Sequence, residues 1–258
     1  MQIAYRYEYY DEVDSTNESV KKRAEAGEQE GLIISADIQT RGRGRDGRVW
    51  VSPQHDNIAT SLLLRPKKIM AAAVPMITIL AGMAVRDAIE AKYGLAGQIK
   101  WPNDIIMNGK KVCGILVEMS VKDMFTNYVI VGIGVNVHNK KFAPEIADKA
   151  TSVDLQLRES GKESIETSRK DLLQEIWKNF MKYYMNFLET GDLRSIREQY
   201  EIHMINRGGY VRIQSPKGSY DAIAEGIDDQ GGLVVGIDGK RKVIRNYEVS
   251  VRGLCGYV

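Results

Sequence analysis

The stretch that most restricts what this chain can fold into is Gln39-Thr40-Arg41-Gly42-Arg43-Gly44-Arg45-Asp46-Gly47-Arg48-Val49-Trp50. Gly42, Gly44 and Gly47 remove the Cβ contacts that would commit the backbone to helix or strand, so the segment reads as a loop. The apolar runs on either side, residues 31–36 and 58–64, read as buried strands, so the loop is carried by a sheet. Four arginines and one aspartate between residues 41 and 48 leave it a local charge of +3. Arginine stays charged at any physiological pH and offers a planar fork suited to phosphate or carboxylate. Two unit charges ~4 Å apart interact by roughly 1 kcal/mol in water but ~4 kcal/mol at an effective dielectric of 20, so a loop that closes over its ligand gains by excluding water. With Trp50 offering an aromatic face, the segment reads as a mobile lid for a small anion such as a nucleotide. By itself it reads more readily as an exposed basic loop or a segment touching nucleic acid.

The rest of the chain shifts that balance. A length of 258 residues suits one large domain and one small one. The net charge of +2 argues against a bulk nucleic-acid binder. Two cysteines (Cys113 and Cys255) give no disulfide framework and suit a reducing cytoplasm. With His55, His138 and His203 they show no metal-ligand spacing. The N-terminus lacks a signal-type apolar core. The longest apolar run, residues 69–85, is broken by Pro75, Thr78 and Gly82 and leads directly into Arg86-Asp87, so it reads as a buried helix and not a membrane span.

In chain order, residues 3–13 read as an opening strand. Ser15-x-x-Glu18 fits a capping box, starting a helix that runs to about Ala26 and stops at Gly27. After the strand at 58–64, a helix extends to about Tyr93 and closes at Gly94. Lys100-Trp101-Pro102-Asn103-Asp104 crowds a cation, an amide and a carboxylate around a proline turn, and Asp104 could hold a Mg²⁺ whose other ligands are phosphate and water. Asn108-Gly109 is a strong hairpin signal separating residues 105–107 from the strand 110–118, which opens with lysines. In the strand 128–137, Gly132-x-Gly134 lacks the third glycine and following helix of a dinucleotide site, and no P-loop pattern occurs. Residues 143–164 are polar, with a short helix near 152–159. Leu172, Ile176, Trp177, Phe180, Tyr184 and Phe187 recur at helical spacing as core, and a short helix spans about 193–201. Beyond Asn206-Arg207-Gly208-Gly209, five short strands (210–214, 219–227, 232–237, 241–243 and 248–252) separated by turn residues fit a small β-barrel, with a domain boundary near 205.

Five of these stretches, taken together and in order, resemble the biotin–protein ligase family. They are Ser15-Thr16-Asn17, Gln39-Thr-x-Gly-Arg-Gly-Arg-x-Gly-Arg48 with Trp50, Lys100-Trp-Pro-Asn-Asp104, Lys111-x-x-Gly-Ile-Leu-x-Glu118 and Gly132-x-Gly-x-Asn136. The resemblance implies an α+β fold: a mixed β-sheet with helices packed on one side, of class II synthetase type, in residues 1–205, and an SH3-like β-barrel in 206–258. It implies ATP and Mg²⁺ as cofactors and biotin as substrate. Biotin is activated to biotinyl-5′-AMP with release of pyrophosphate, then passed to a specific lysine of a biotin carrier domain of a carboxylase. Carried over residue by residue, Ser15, Thr16, Asn17 and Gln39 would bind the biotin head group. Arg43, Gly44 and Arg45 would contact biotin and adenylate, and the backbone at Gly114 would line the biotin pocket. Lys111 would span the biotin carboxylate and the α-phosphate as the key catalytic residue, with Arg45 beside it. Arg48 would reach phosphate and Trp50 would close over adenine. Lys100, Asn103, Asp104 and Asn136 would serve nucleotide, phosphate or Mg²⁺, and Arg252 would approach the nucleotide from the terminal module.

Two departures stand out. Asp46 sits inside the basic loop, and only one strand precedes Ser15-Thr16-Asn17, where the family's repressors carry a helix-turn-helix domain. The expectation is therefore ligase activity without operator binding, in the cytoplasm, with a homodimer left open. A lipoate– or octanoate–protein ligase shares the fold and chemistry and is the nearest rival; the Gly-Arg-Gly-Arg loop and Lys-Trp-Pro-Asn-Asp favour biotin.

Overall fold

The computed structural model describes residues 3–51, 55–67, 69–215, 218–245 and 250–253, the side chains of Asp46, Ser250 and Arg252 excepted. Seven strands form a mixed sheet in the order β1-β2-β3-β7-β6-β5-β4. They are β1 (Arg6–Val13), β2 (Leu32–Gln39), β3 (Asn57–Leu64), β4 (Gln98–Lys100), β5 (Asp104–Met107), β6 (Lys110–Lys122) and β7 (Phe125–Asn136). Only β1 and β2 run parallel, because α1 (Thr16–Glu25) makes the crossover between them; every other neighbour is antiparallel. Asn108 and Gly109 both have positive φ, which is the two-residue turn that lets β5 and β6 follow the twist of the sheet.

One face of this sheet carries the main core. Alternate residues such as Leu62 and Leu64 on β3, and Val129, Val131 and Ile133 on β7, join a single buried cluster with α2 (Val74–Tyr93) and α4 (Arg169–Thr190). α2 is apolar nearly all round, as a helix between sheet and second helix must be. It starts at Val74, later than the apolar run itself, since Pro75 has no N–H and is tolerated only in the first turn. Gly94, at φ 61°, ends it in the left-handed conformation. Among the described residues one helical stretch, Ala71–Tyr93, is long and apolar enough to cross a membrane, yet 78% of its window is buried here. On α4, Trp177 meets Phe180 edge-on at 5.6 Å and Phe180 stacks on Tyr184 at 5.6 Å, so the aromatic stripe is packing.

The two long helices build the expected one-sided layer. α1 adds a smaller patch on the opposite face, where Val20 and Ala24 pack on Leu32, Ile34, Leu63, Tyr128 and Ile130. That second face carries the site.

α3 (Val153–Glu159) and α5 (Arg194–His203) complete the helices. A five-stranded antiparallel sheet follows, in the order β11-β10-β9-β8-β12, consistent with an SH3-like module. Its strands are β8 (Tyr210–Ser215), β9 (Gly218–Ile227), β10 (Leu233–Ile237), β11 (Lys240–Ile244) and β12 (Ser250–Gly253). The expected strand start at 248–249 lies outside the described residues. Trp101, buried beside a cis Trp101–Pro102 bond, donates its indole N–H to the Gly231 carbonyl at 2.9 Å and so pins this module to the large sheet.

Candidate active site

A period of two along each strand means that the positions between core residues all point to the α1 face. On the central strands those positions hold little volume. Register sets Ala59 of β3 beside Gly134 of β7, Gly134 beside Gly114 of β6, and Gly114 beside Asp104 of β5. The next row is Ser61, Gly132 and Leu116. The result is a shelf cut into the sheet, and other groups already lie on it. A Cβ at Gly134 would meet Trp50 Cε2 at 2.5 Å, and one at Gly132 would meet Asn17 Oδ1 at 2.0 Å.

The start of α1 forms one wall. Ser15, Thr16 and Asn17 are all buried. The expected capping box is absent. Ser15 occupies the N-cap position with extended backbone, but its hydroxyl makes no cap bond, and Glu18 pairs with Arg43 instead. The helix start is directed at other groups: Gln39 Oε1 accepts the Thr16 N–H at 2.9 Å, and Ser61 Oγ donates to Asn17 Oδ1 at 2.6 Å and lies 2.7 Å from Thr16 Oγ1. Asn17 Nδ2 donates to Glu118 Oε2 at 2.7 Å and to the Leu116 carbonyl at 3.3 Å.

The Arg/Gly loop closes over this shelf as a small hairpin. Trp50 N–H donates to Gly42 O at 3.0 Å and Gly44 N–H to Arg48 O at 2.7 Å. A Cβ at Gly42 would strike the Trp50 carbonyl at 2.2 Å, so only glycine permits the crossing. Trp50 Nε1 is buried with no hydrogen-bond partner among the described residues. Lys111 reaches the same place because of a β-bulge: Ile105 faces Cys113 and Ile106 faces Lys111, leaving Val112 as the extra residue. Val112 and Cys113 therefore both enter the core, and the lysine swings to the shelf. Its ammonium lies 5.7 Å from the centre of the Trp50 ring and 2.6 Å from Asp104 Oδ1. Burial pushes the Cys113 thiol far above its usual range, so it stays a neutral packing group.

Ser15, Thr16, Asn17, Gln39, Arg43, Gly44, Arg45, Trp50, Asn103, Lys111 and Gly114 thus line one cavity. At about 50 Å³ it is far below the roughly 300–1,000 Å³ of small-molecule sites, so admitting a nucleotide requires the loop and Trp50 to move. Four of the described sequence candidates do not line it: Arg48, Lys100, Asp104 and Asn136. Asp104 joins through its ion pair with Lys111. Lys100 is buried opposite Asp104 in the β4–β5 pair. Asn136 donates to the Thr151 carbonyl at 3.0 Å, and the neighbouring 149–151 segment brackets the Lys111 backbone. Asn103 donates to the Ile115 carbonyl at 3.1 Å. Arg48 is exposed at the loop end, and the Arg252 side chain lies outside the described residues. Three contributors were missed: Ser61, Glu18 and Glu118. Glu118 was in view only as part of a motif, and a serine inside an apolar strand carries no signal of its own.

Among the described residues no three His, Cys, Asp or Glu side chains gather as a metal cage. Asp104, the carboxylate that could hold a Mg²⁺ with phosphate and water as its other ligands, is held here by Lys111 at 2.6 Å.

The arginine loop, the lysine and the polar helix start thus meet at one cavity on the α1 face of the sheet, the arrangement of a ligase. The Biotin/lipoate A/B protein ligase family model matches residues 9–136. A bifunctional ligase/repressor from Bacillus spizizenii is 38% identical over 229 residues, covering 88% of this chain and 68% of that protein. A biotin–[acetyl-CoA-carboxylase] ligase from Paracoccus denitrificans is 33% identical over 242 residues, covering 93% and 98%. The solved structure of the Aquifex aeolicus biotin protein ligase in complex with biotin and ATP matches with a TM-score of 0.81 at 31% identity, over 96% of this chain and 98% of that one. The chain belongs to the biotin–protein ligase family, and its enzyme class is that of the biotin–[acetyl-CoA-carboxylase] ligases.

Proposed function

We propose that this chain joins biotin to a carrier-protein lysine in two steps at the cavity under the Arg/Gly loop. In the first, a biotin carboxylate oxygen attacks the α-phosphorus of ATP, the bond to the β-phosphate breaks, and biotinyl-5′-AMP and pyrophosphate form. In the second, the lysine amine attacks the acyl carbon, the acyl–phosphate bond breaks, AMP leaves, and the nitrogen sheds a proton as the amide forms. The observation that carries this reading is the Lys111 ammonium, set over Gly114 beside Trp50 and 2.6 Å from Asp104, in a cavity also lined by Arg43 and Arg45.

Each residue has a task in this scheme. The first step brings two anions together, so Lys111 and Arg45 neutralise the carboxylate and the attacked phosphate. As they arrive, Lys111 exchanges Asp104 for the substrates, and Asp104 would hold the Mg²⁺ that accompanies the nucleotide and spreads its phosphate charge. Ser15, Thr16, Asn17 and Gln39 form the polar end for the cyclic urea of biotin, and Gly114 and Gly134 leave room for its tail. Arg43, Gly44, Arg48 and Trp50 keep water from the mixed anhydride. Lys100, Asn103 and Asn136 support the nucleotide side, and Arg252 of the terminal module would serve the nucleotide as well. Residues 1–205 act as the catalytic domain and 206–258 as the accessory β-domain. The acceptor is a biotin carrier domain of a carboxylase. A cytoplasmic setting fits an ATP-consuming enzyme with a free, buried thiol at Cys113.

The test is biotin-dependent pyrophosphate release from Mg-ATP, with lipoate and octanoate in parallel. Release with biotin alone supports the reading. Release with lipoate or octanoate in its place moves the specificity and keeps the chemistry. Lys111→Ala is expected to fold normally and to lose roughly 100-fold or more in the rate of adenylate formation; a normal rate in the folded variant removes Lys111 from its role.

A further inference from the structure

Both N–H groups and the oxygen of the Asn17 amide are engaged by the protein itself, through Glu118, the Leu116 carbonyl and Ser61. These contacts fix the direction of the Asn17 amide in the cavity wall, so what holds it matters. Its strongest partner is Glu118, whose carboxylate has a second client: Oε2 accepts from Asn17 at 2.7 Å while Oε1 faces Arg43 Nη2 at 3.2 Å. Arg43 is in turn 3.3 Å from Glu18 on the first turn of α1. One carboxylate on β6 thus ties the start of α1 to the loop that covers the cavity.

We propose that Glu118 is a positioning residue for the ligase reaction, setting the Asn17 amide and seating Arg43 so that the loop stays closed over the acyl-adenylate. This rests on the function proposed above. The physical ground is the register: Glu118 is the next shelf-facing position after Gly114 and Leu116, at the rim, with its side chain 27% exposed and that of Arg43 50% exposed. An ion pair that exposed contributes little to folding. Its value lies in orientation, because Arg43 is fixed between two carboxylates at the rim of the cavity it lines. Loop closure need only be biased modestly to change how fast a bound intermediate escapes.

The experiment uses the full chain with Glu118→Gln, which keeps an acceptor for Asn17 and removes the charge facing Arg43. The expected result is an unchanged melting temperature, a biotin KM within about threefold of wild type and a roughly fivefold to tenfold faster release of biotinyl-adenylate, read as labelling of added free lysine. Glu118→Ala removes both contacts and is expected to raise the biotin KM as well. In an Arg43→Gln background, Glu118→Gln should add almost nothing, since its effect passes through Arg43. Unchanged adenylate release in folded Glu118→Gln, or additive effects in the double variant, overturns the proposal while wild-type pyrophosphate release leaves the proposed function standing. A wild-type chain silent with biotin overturns both.

Discussion

The two faces of β3, β6 and β7 differ by one residue of register and have opposite requirements. Toward α2 and α4 the strands present Leu62, Ile115, Val131 and Ile133, each at most 3% exposed and part of one buried cluster with those helices. One residue away, toward α1, the same strands present Ser61, Gly114, Gly132 and Gly134. The first face is filled and stabilises by volume removed from water. The second is emptied, and Trp50 and Asn17 occupy space that ordinary side chains would have taken. A fold can host such a shelf only because the filled face holds the strands in place.

The largest expected effect is on the filled face. Trp177→Ala should cost about 3–5 kcal/mol of unfolding free energy, measured by urea titration, because it removes the fully buried indole that packs edge-on against Phe180 and donates to the Thr60 hydroxyl. A loss of under about 1 kcal/mol would mean that the core does not depend on α4 as described. On the emptied face, Gly134→Ala should raise the biotin KM by about 100-fold, as its Cβ displaces Trp50, with unfolding free energy changed by less than about 1 kcal/mol. Destabilisation as large as that of Trp177→Ala would erase the distinction between the faces.

A smaller effect concerns the ion pair that ties α4 to β2. Arg169 donates to Asp37 at 2.6 Å and His55 lies 2.7 Å from its other oxygen. Burial alone would raise the Asp37 carboxyl, but the Tyr9 hydroxyl, Arg169 and His55 outweigh it and hold the group below its ordinary value of 3.8. With the folded value depressed, this stability is complete above that ordinary value and is lost as pH falls through the lower folded one. Arg169→Met should cost about 2 kcal/mol at neutral pH, and its stability should fall less steeply than that of wild type below about pH 4. Parallel pH profiles for the two proteins would refute the assignment.

The smallest contrast separates two serines at helix starts. Ser168 Oγ accepts the Asp171 N–H at 3.2 Å, so Ser168→Ala should cost about 1 kcal/mol of stability and leave the biotin KM alone. Ser15 makes no such bond, so Ser15→Ala should do the reverse, leaving stability within about 0.5 kcal/mol and raising the biotin KM about tenfold. Equal stability losses would restore Ser15 to a capping role.

Much of this was legible from the chain. Apolar periodicity located the strands, the helices and the aromatic stripe of α4, since burial of one face leaves a repeat of two or 3.6 residues. Glycine punctuation located the Asn108-Gly109 turn and the helix closure at Gly94. The ordered motifs named most of the cavity lining, because chemistry of this kind needs arginine forks, a lysine and small backbone positions whatever surrounds them. Other features were set by tertiary contact. The same Ser15-x-x-Glu18 that spells a capping box serves the cavity and Arg43, because a competing set of partners lies across the site. Lys111 faces the shelf only through a bulge at Val112, which no local signal announces. Ser61 and Glu118 matter through residues more than 40 positions away in the chain, Asn17 and Arg43 among them. Sequence determines which side chains are available and with what period. Pairing register and helix crossover decide which of them meet, because those depend on the whole sheet closing at once.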